Sequence, residues 1–112
     1  VPEGVLVYEI SGPLFFGTVR KFELAVSQAS VKYRILILRM KNTSYLDAGG
    51  AKALLQLKNA CDNKNITIFL TTICEQPKKL LNKTGLISQI GESNIFASTA
   101  EALEKAKKIL SE

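Results

Sequence analysis

Ile35-Leu36-Ile37-Leu38-Arg39-Met40 leads through Lys41 and Asn42 into Thr43-Ser44-Tyr45-Leu46-Asp47-Ala48-Gly49-Gly50, and then into Ala51, Leu54, Leu55 and Leu57 at helical spacing. A short, almost unbroken apolar run predicts a buried strand, and the spacing after it predicts a helix. Asp47 falls where a helix N-cap is expected, with the amide of Gly49 or Gly50 as its hydrogen-bond donor. First-turn amides and the helix dipole favour anions, so a phosphate or an acidic partner would compete with Asp47 or be repelled by it. The junction, with candidate residues Ser44, Asp47, Ala48, Gly49 and Gly50, is read as a switch or partner-binding loop. It does not look like a catalytic centre.

Working outward, Val5 to Ile10 is rich in β-branched and aromatic residues, and Ser11-Gly12-Pro13 marks a turn before Leu14-Phe15-Phe16. Two short strands are expected there, with one of Phe15 and Phe16 in the core. Val19, Phe22, Ala25, Val26 and Ala29 predict a first helix that starts at Gly17 or Thr18 and ends near Ser30. Tyr33 to Met40 should be a central strand. The helix after Asp47 ends by Asp62-Asn63-Lys64-Asn65, and Ile66 to Leu70 is again a strand. Glu75-Gln76-Pro77 opens a short helix with Leu80, Leu81 and Leu86 on its apolar side and Gly85 as its stop. Ile95-Phe96 is a brief strand, and Ser98-Thr99-Ala100-Glu101 has capping-box spacing ahead of Leu103, Ala106, Ile109 and Leu110. Strands alternating with helices make the fold α/β: one domain over residues 1–112, with a sheet of four to five strands, mostly parallel or mixed, and about four helices.

Composition limits the chemistry. The chain has 112 residues, 46% apolar and 22% charged, the profile of one ordinary globular domain, and no stretch approaches the ~20 apolar residues of a membrane span. It opens on Val1-Pro2-Glu3-Gly4 with neither Met nor a leader, and is expected to be a piece of a longer chain. Histidine is absent, so the usual zinc sites, Ser-His-Asp triads and Cys-His dyads are unavailable and no enzyme is expected. Two cysteines, Cys61 and Cys74, lack CxxC spacing and are expected as reduced thiols inside the cell. The net charge of +5 comes from lysines and arginines spread between Arg20 and Lys108 among ten acids, which argues against nucleic acid. Lys78, Lys79 and Lys83 on one helix, and Lys105, Lys107 and Lys108 in the last turn of another, are first read as solvated faces. Attraction to an acidic partner or to anionic lipid is the second reading.

The segment Val5-Leu6-Val7-Tyr8-Glu9-Ile10-Ser11-Gly12-Pro13-Leu14-Phe15-Phe16-Gly17 resembles the opening of the STAS domain (sulfate transporter and anti-sigma factor antagonist) of SulP-type anion transporters, where Gly-Pro-Leu-Phe-Phe is typical. Tyr45-Leu46-Asp47-Ala48-Gly49-Gly50 is similar to that family's Asp-Ser-Ser-Gly or Asp-Ala-Thr-Gly signature. The resemblance covers nearly the whole chain. It aligns Asp47 with the family aspartate, Gly50 with the family glycine, and Ala48 with the serine that a kinase phosphorylates in free-standing antagonists. Neither Ala48 nor Gly49 carries a hydroxyl, and Thr43 and Ser44 are read as loop residues that satisfy local backbone groups.

The resemblance therefore implies a non-catalytic regulatory or assembly domain of a transporter for sulfate or a related inorganic anion, at the cytoplasmic face of the inner membrane. Its implied partners are the transmembrane domain of the same transporter, a soluble regulatory protein, and a second copy through a full-length homodimer. No metal or cofactor is implied beyond a weak nucleotide site near Asp47. The alternative is a free-standing anti-sigma factor antagonist-like regulator that acts by protein binding.

Overall fold

The computed structural model describes residues 1–11, 18–28 and 32–111, with the backbone alone for residues 11, 18, 19 and 28. The expected turn at Gly12-Pro13, the strand at residues 14–16, the core placement of Phe15 or Phe16 and the first helix's outermost residues lie outside that set.

The elements run β1 (Val5–Ser11), α1 (Thr18–Gln28), β2 (Ile35–Asn42), α2 (Ala48–Asn63), β3 (Thr67–Thr71), α3 (Glu75–Thr84), α4 (Leu86–Ile90), a 3-10 turn (Glu92–Asn94), β4 (Ile95–Phe96) and α5 (Thr99–Leu110). The strands form one sheet in the order β1-β2-β3-β4, and every pair is parallel. Among the described residues the sheet thus has four strands and no antiparallel pair.

Strand β2 explains the layering. Its side chains alternate across the pleat, and both sets are apolar: Leu36, Leu38 and Met40 enter one core cluster, Ile35 and Ile37 the other. The first cluster is closed by Phe22 of α1, Leu54 and Leu57 of α2, Leu81 of α3 and Leu86 and Ile87 of α4. The second is closed by α5, whose Ala102 and Ala106 bury against Val5, Ile35, Ile37 and Phe69. Parallel strands need crossovers, and α1 to α4 supply them, whereas α5 follows the last strand.

Two local features differ from the sequence expectation. Leu86 does not extend the helix that begins at Glu75. Gly85 takes φ +83°, a left-handed conformation that glycine reaches without a Cβ penalty, so α3 stops there and Leu86 begins the separate helix α4. Among the described residues there are thus five α-helices, against the expected four or so. Lys105, expected on a solvated face, instead donates from Nζ to the Ser93 carbonyl (2.8 Å) and to Asn94 Oδ1 (2.9 Å). Its ammonium also lies 5.4 and 5.7 Å from the ring centroids of Phe69 and Phe96. A two-residue strand is weak alone, and this lysine fastens the chain beside β4 to α5. The capping box at Ser98 is half formed: Ser98 Oγ accepts from the Glu101 amide at 3.2 Å.

The two thiols sit in contrasting places. Cys61 is fully buried on α2, and burial, with a smaller push from Asp62 against the opposing Lys58, raises its pKa to about 12. Cys74 is half-buried at the N-cap of α3, where its Sγ donates weakly to the Lys41 carbonyl at 3.5 Å. Thiolate is the reactive form, and its fraction falls about tenfold per unit of pKa. Maleimide at mildly alkaline pH should therefore label Cys74 readily and Cys61 only after urea is added. Equal native labelling rates, read by mass spectrometry, would contradict this burial.

Candidate functional site

The β2–α2 junction is held from three sides. At its start the Thr43 amide donates to the Met40 carbonyl (3.1 Å), and Thr43 Oγ1 donates to the Ile10 carbonyl at the end of β1 (2.9 Å). Thr43 is fully buried, in keeping with a hydroxyl that satisfies backbone, and it offers nothing to solvent. In the middle, Leu46 buries its side chain in the first core cluster. Its main chain is clamped by Gln76 of α3: the Leu46 amide donates to Gln76 Oε1 (2.7 Å), and Gln76 Nε2 donates to the Leu46 carbonyl (2.9 Å). At its end Asp47 has an extended backbone (φ −94°, ψ 179°), its Oδ1 accepts from the Gly50 amide at 2.7 Å, and its carbonyl accepts from the Ala51 amide at 2.9 Å. The predicted N-cap is in place.

The exposed loop expected from sequence is thus exposed only in part. Ser44, Tyr45, Asp47, Ala48 and Gly49 face solvent, whereas Thr43, Leu46 and Gly50 are inside. Gly50 belongs to the floor of the site. Neither Gly49 nor Gly50 has a positive φ, and a Cβ built at Gly49 would meet only Asp47 Oδ1, at an ordinary 3.5 Å. Backbone approach is therefore a property of the exposed Gly49 face and is not forced by conformation.

Electrostatically, the carboxylate of Asp47 sits on the positive end of α2 and already uses one first-turn amide. A second anion there would meet that charge. Capture of a free phosphate at this helix end is therefore disfavoured.

Beside this turn, Ala48, Ala51, Lys52 and Leu55 of α2 face Leu80 and Thr84 of α3 and Leu86 and Gln89 of α4 across a groove of about 250 Å³. Neither the groove nor Gln76 was visible in the sequence. The periodicity of each helix was readable, but nothing in it says which two helices lie side by side, and Gln76 reaches a residue 30 positions away.

Loss of the cap should cost about 1 kcal/mol in Asp47→Ala, and loss of the clamp in Gln76→Ala about 1–3 kcal/mol, since two backbone groups of a part-buried loop lose their partner. Chemical denaturation measures both. A Gln76→Ala midpoint equal to that of the parent protein would contradict the clamp.

A protein-family model described as "STAS domain" matches residues 1–102. A Bacillus subtilis protein named "Putative sulfate transporter YvdB" is 34% identical over 93 residues, which is 82% of this chain but 18% of that relative. The chain thus spans under a fifth of that protein's length. Among solved structures, a sulfate transporter family protein from Wolinella succinogenes superposes with a TM-score of 0.87 at 30% identity, covering 100% of this chain and 92% of that one. The STAS domain of a SulP transporter from Vibrio cholerae gives 0.89 at 25% identity, covering 99% and 87%. A family match across residues 1–102, together with these relatives, means that the chain belongs to the STAS domain family.

Proposed function

We propose that this domain is a non-catalytic regulatory or assembly unit of a SulP-type anion transporter, working at the cytoplasmic face of the membrane by presenting the Ser44–Gly50 turn to the transmembrane part or to a soluble protein. The observation that carries this reading is the turn's construction. Thr43, Leu46 and Asp47 are each tied to a different part of the fold, so the exposed Ser44, Tyr45 and Ala48 are offered in a fixed arrangement. Fixed loops bind with less loss of conformational freedom than mobile ones. The named transporter of which the chain matches a short part supplies the context.

Ala48 supports a contact without covalent control. The free-standing antagonist cycle needs a hydroxyl at that position; the Thr43 hydroxyl is buried, and the exposed Ser44 lies four residues before it, ahead of the Asp47 cap. No nucleotide is required by this reading. A weak nucleotide contact at the exposed amides beside Asp47 would be secondary to it.

The test uses the full-length transporter with Asp47→Asn, Asp47→Lys and a deletion of the domain. Asn keeps the cap and removes the charge, whereas Lys removes the cap and reverses the charge. Deletion and Asp47→Lys should reduce anion uptake or the level of assembled transporter by about tenfold, the change expected when about 1.4 kcal/mol of contact is lost. Asp47→Asn should stay closer to the parent. Unchanged uptake and unchanged level in both the deletion and Asp47→Lys would overturn the proposal.

A further inference from the structure

The groove between α2 and the α3–α4 pair has a chemistry of its own. Ala48, Lys52 and Leu55 lie at i, i+4 and i+7 along one side of α2, and the short side chains of Ala48 and Ala51 leave a valley against Leu80 and Leu86. Leu55 is 37% exposed, large for an apolar residue beside a recess. The volume of about 250 Å³ falls below the roughly 300–1,000 Å³ of small-molecule sites. It suits a few inserted side chains.

Charge around the groove leaves cations in excess. The acids from the α2 cap to α4 are Asp47, Asp62 and Glu75: Asp47 beside Ala48 accepts from the Gly50 amide at 2.7 Å, and the other two are paired within their own helices, with Lys58 at 2.7 Å and with Lys79 at 3.1 Å. Lys52, Lys64, Lys78 and Lys83 have no acidic partner among the described residues. Lys52 lines the groove, and Lys83 lies outside its lining, one turn from the lining Leu80 and next to the lining Thr84 in sequence.

From this pairing of an apolar recess with unmatched cations, we infer that the groove receives an acidic amphipathic helix of a partner protein. Its apolar residues at i, i+3 or i+4, and i+7 would fill the valley, and flanking carboxylates would meet Lys52 and Lys83. A lipid surface would satisfy the lysines, but it has no convex side chains for a concave apolar recess. The inference deepens the docking reading above by naming a surface and a partner chemistry, and it is tested on the isolated chain without any transport measurement. Its failure would leave the Ser44–Gly50 turn as a docking element, whereas failure of the transport test would leave the groove's selectivity intact.

The probe is a phage-displayed peptide library on a helical frame with randomised surface positions, selected against the 112-residue chain. Selected peptides should be net acidic, carry the apolar spacing above, and shift the amide resonances of residues 48–55 and 80–89. Leu55→Asp and Lys52→Glu, both at exposed positions, should each weaken binding by about tenfold, and added salt should weaken it further. No enrichment, enriched peptides that are neutral or basic, or a footprint elsewhere would overturn the inference. So would displacement of a selected peptide by phosphatidylserine vesicles but not by phosphatidylcholine vesicles, which would assign the groove to a membrane surface.

Discussion

A strand that is apolar on both faces cannot lie on a surface, and β2 is such a strand. Ile35, Leu36, Ile37, Leu38 and Met40 are all essentially excluded from solvent. Burying a side chain of this size contributes about 1.5–3 kcal/mol, so leaving either face open would forfeit several such terms. The chain therefore has to place helices on both sides of the sheet: the crossovers between its parallel strands cover one side, and α5, which follows the last strand, covers the other. The two sides are unequal: α1 to α4 share one, and α5 covers the other with two alanines at its centre.

The candidate site follows from that burial. Where β2 leaves the core, its last carbonyls and the backbone beyond need partners, and the fold supplies them internally: Thr43 ties the turn to β1, Gln76 ties it to α3, and Asp47 closes the first turn of α2. Leu46 completes the anchoring by joining the same core as Leu36 and Leu38. The outward residues of the turn are consequently held by the hydrophobic core. A surface of this kind is preorganised, so the docking proposed above would not have to offset the ordering of a loose loop.

How much was legible depended on distance along the chain. Asp47 could be assigned as a cap because the donor it needs lies three residues ahead, and β2 because apolarity is written in consecutive residues. Gly85 was correctly seen as a stop. The new helix at Leu86 was missed because a leucine after a glycine serves equally well as the end of one apolar face or the start of another. Lys105 was misjudged for a physical reason: a long side chain can turn back along its own helix, and only the fold places Phe69, Phe96 and the Ser93 carbonyl within its reach. Gln76 and the α2–α3 groove depend on which helices are neighbours, information that no local pattern contains.

The turn before α2 is fixed from inside, and the exchange of its amide protons reads out that fixation. Amide hydrogen exchange followed by NMR on the native chain reports the opening of each hydrogen bond separately. The Leu46 amide, held by Gln76, should exchange at least about 100-fold more slowly than a free amide of the same sequence, corresponding to an opening cost of roughly 2.7 kcal/mol. Exchange of Leu46 at the free-amide rate while the β2 amides stay protected would mean that the turn is loose on a rigid sheet and is not held by Gln76.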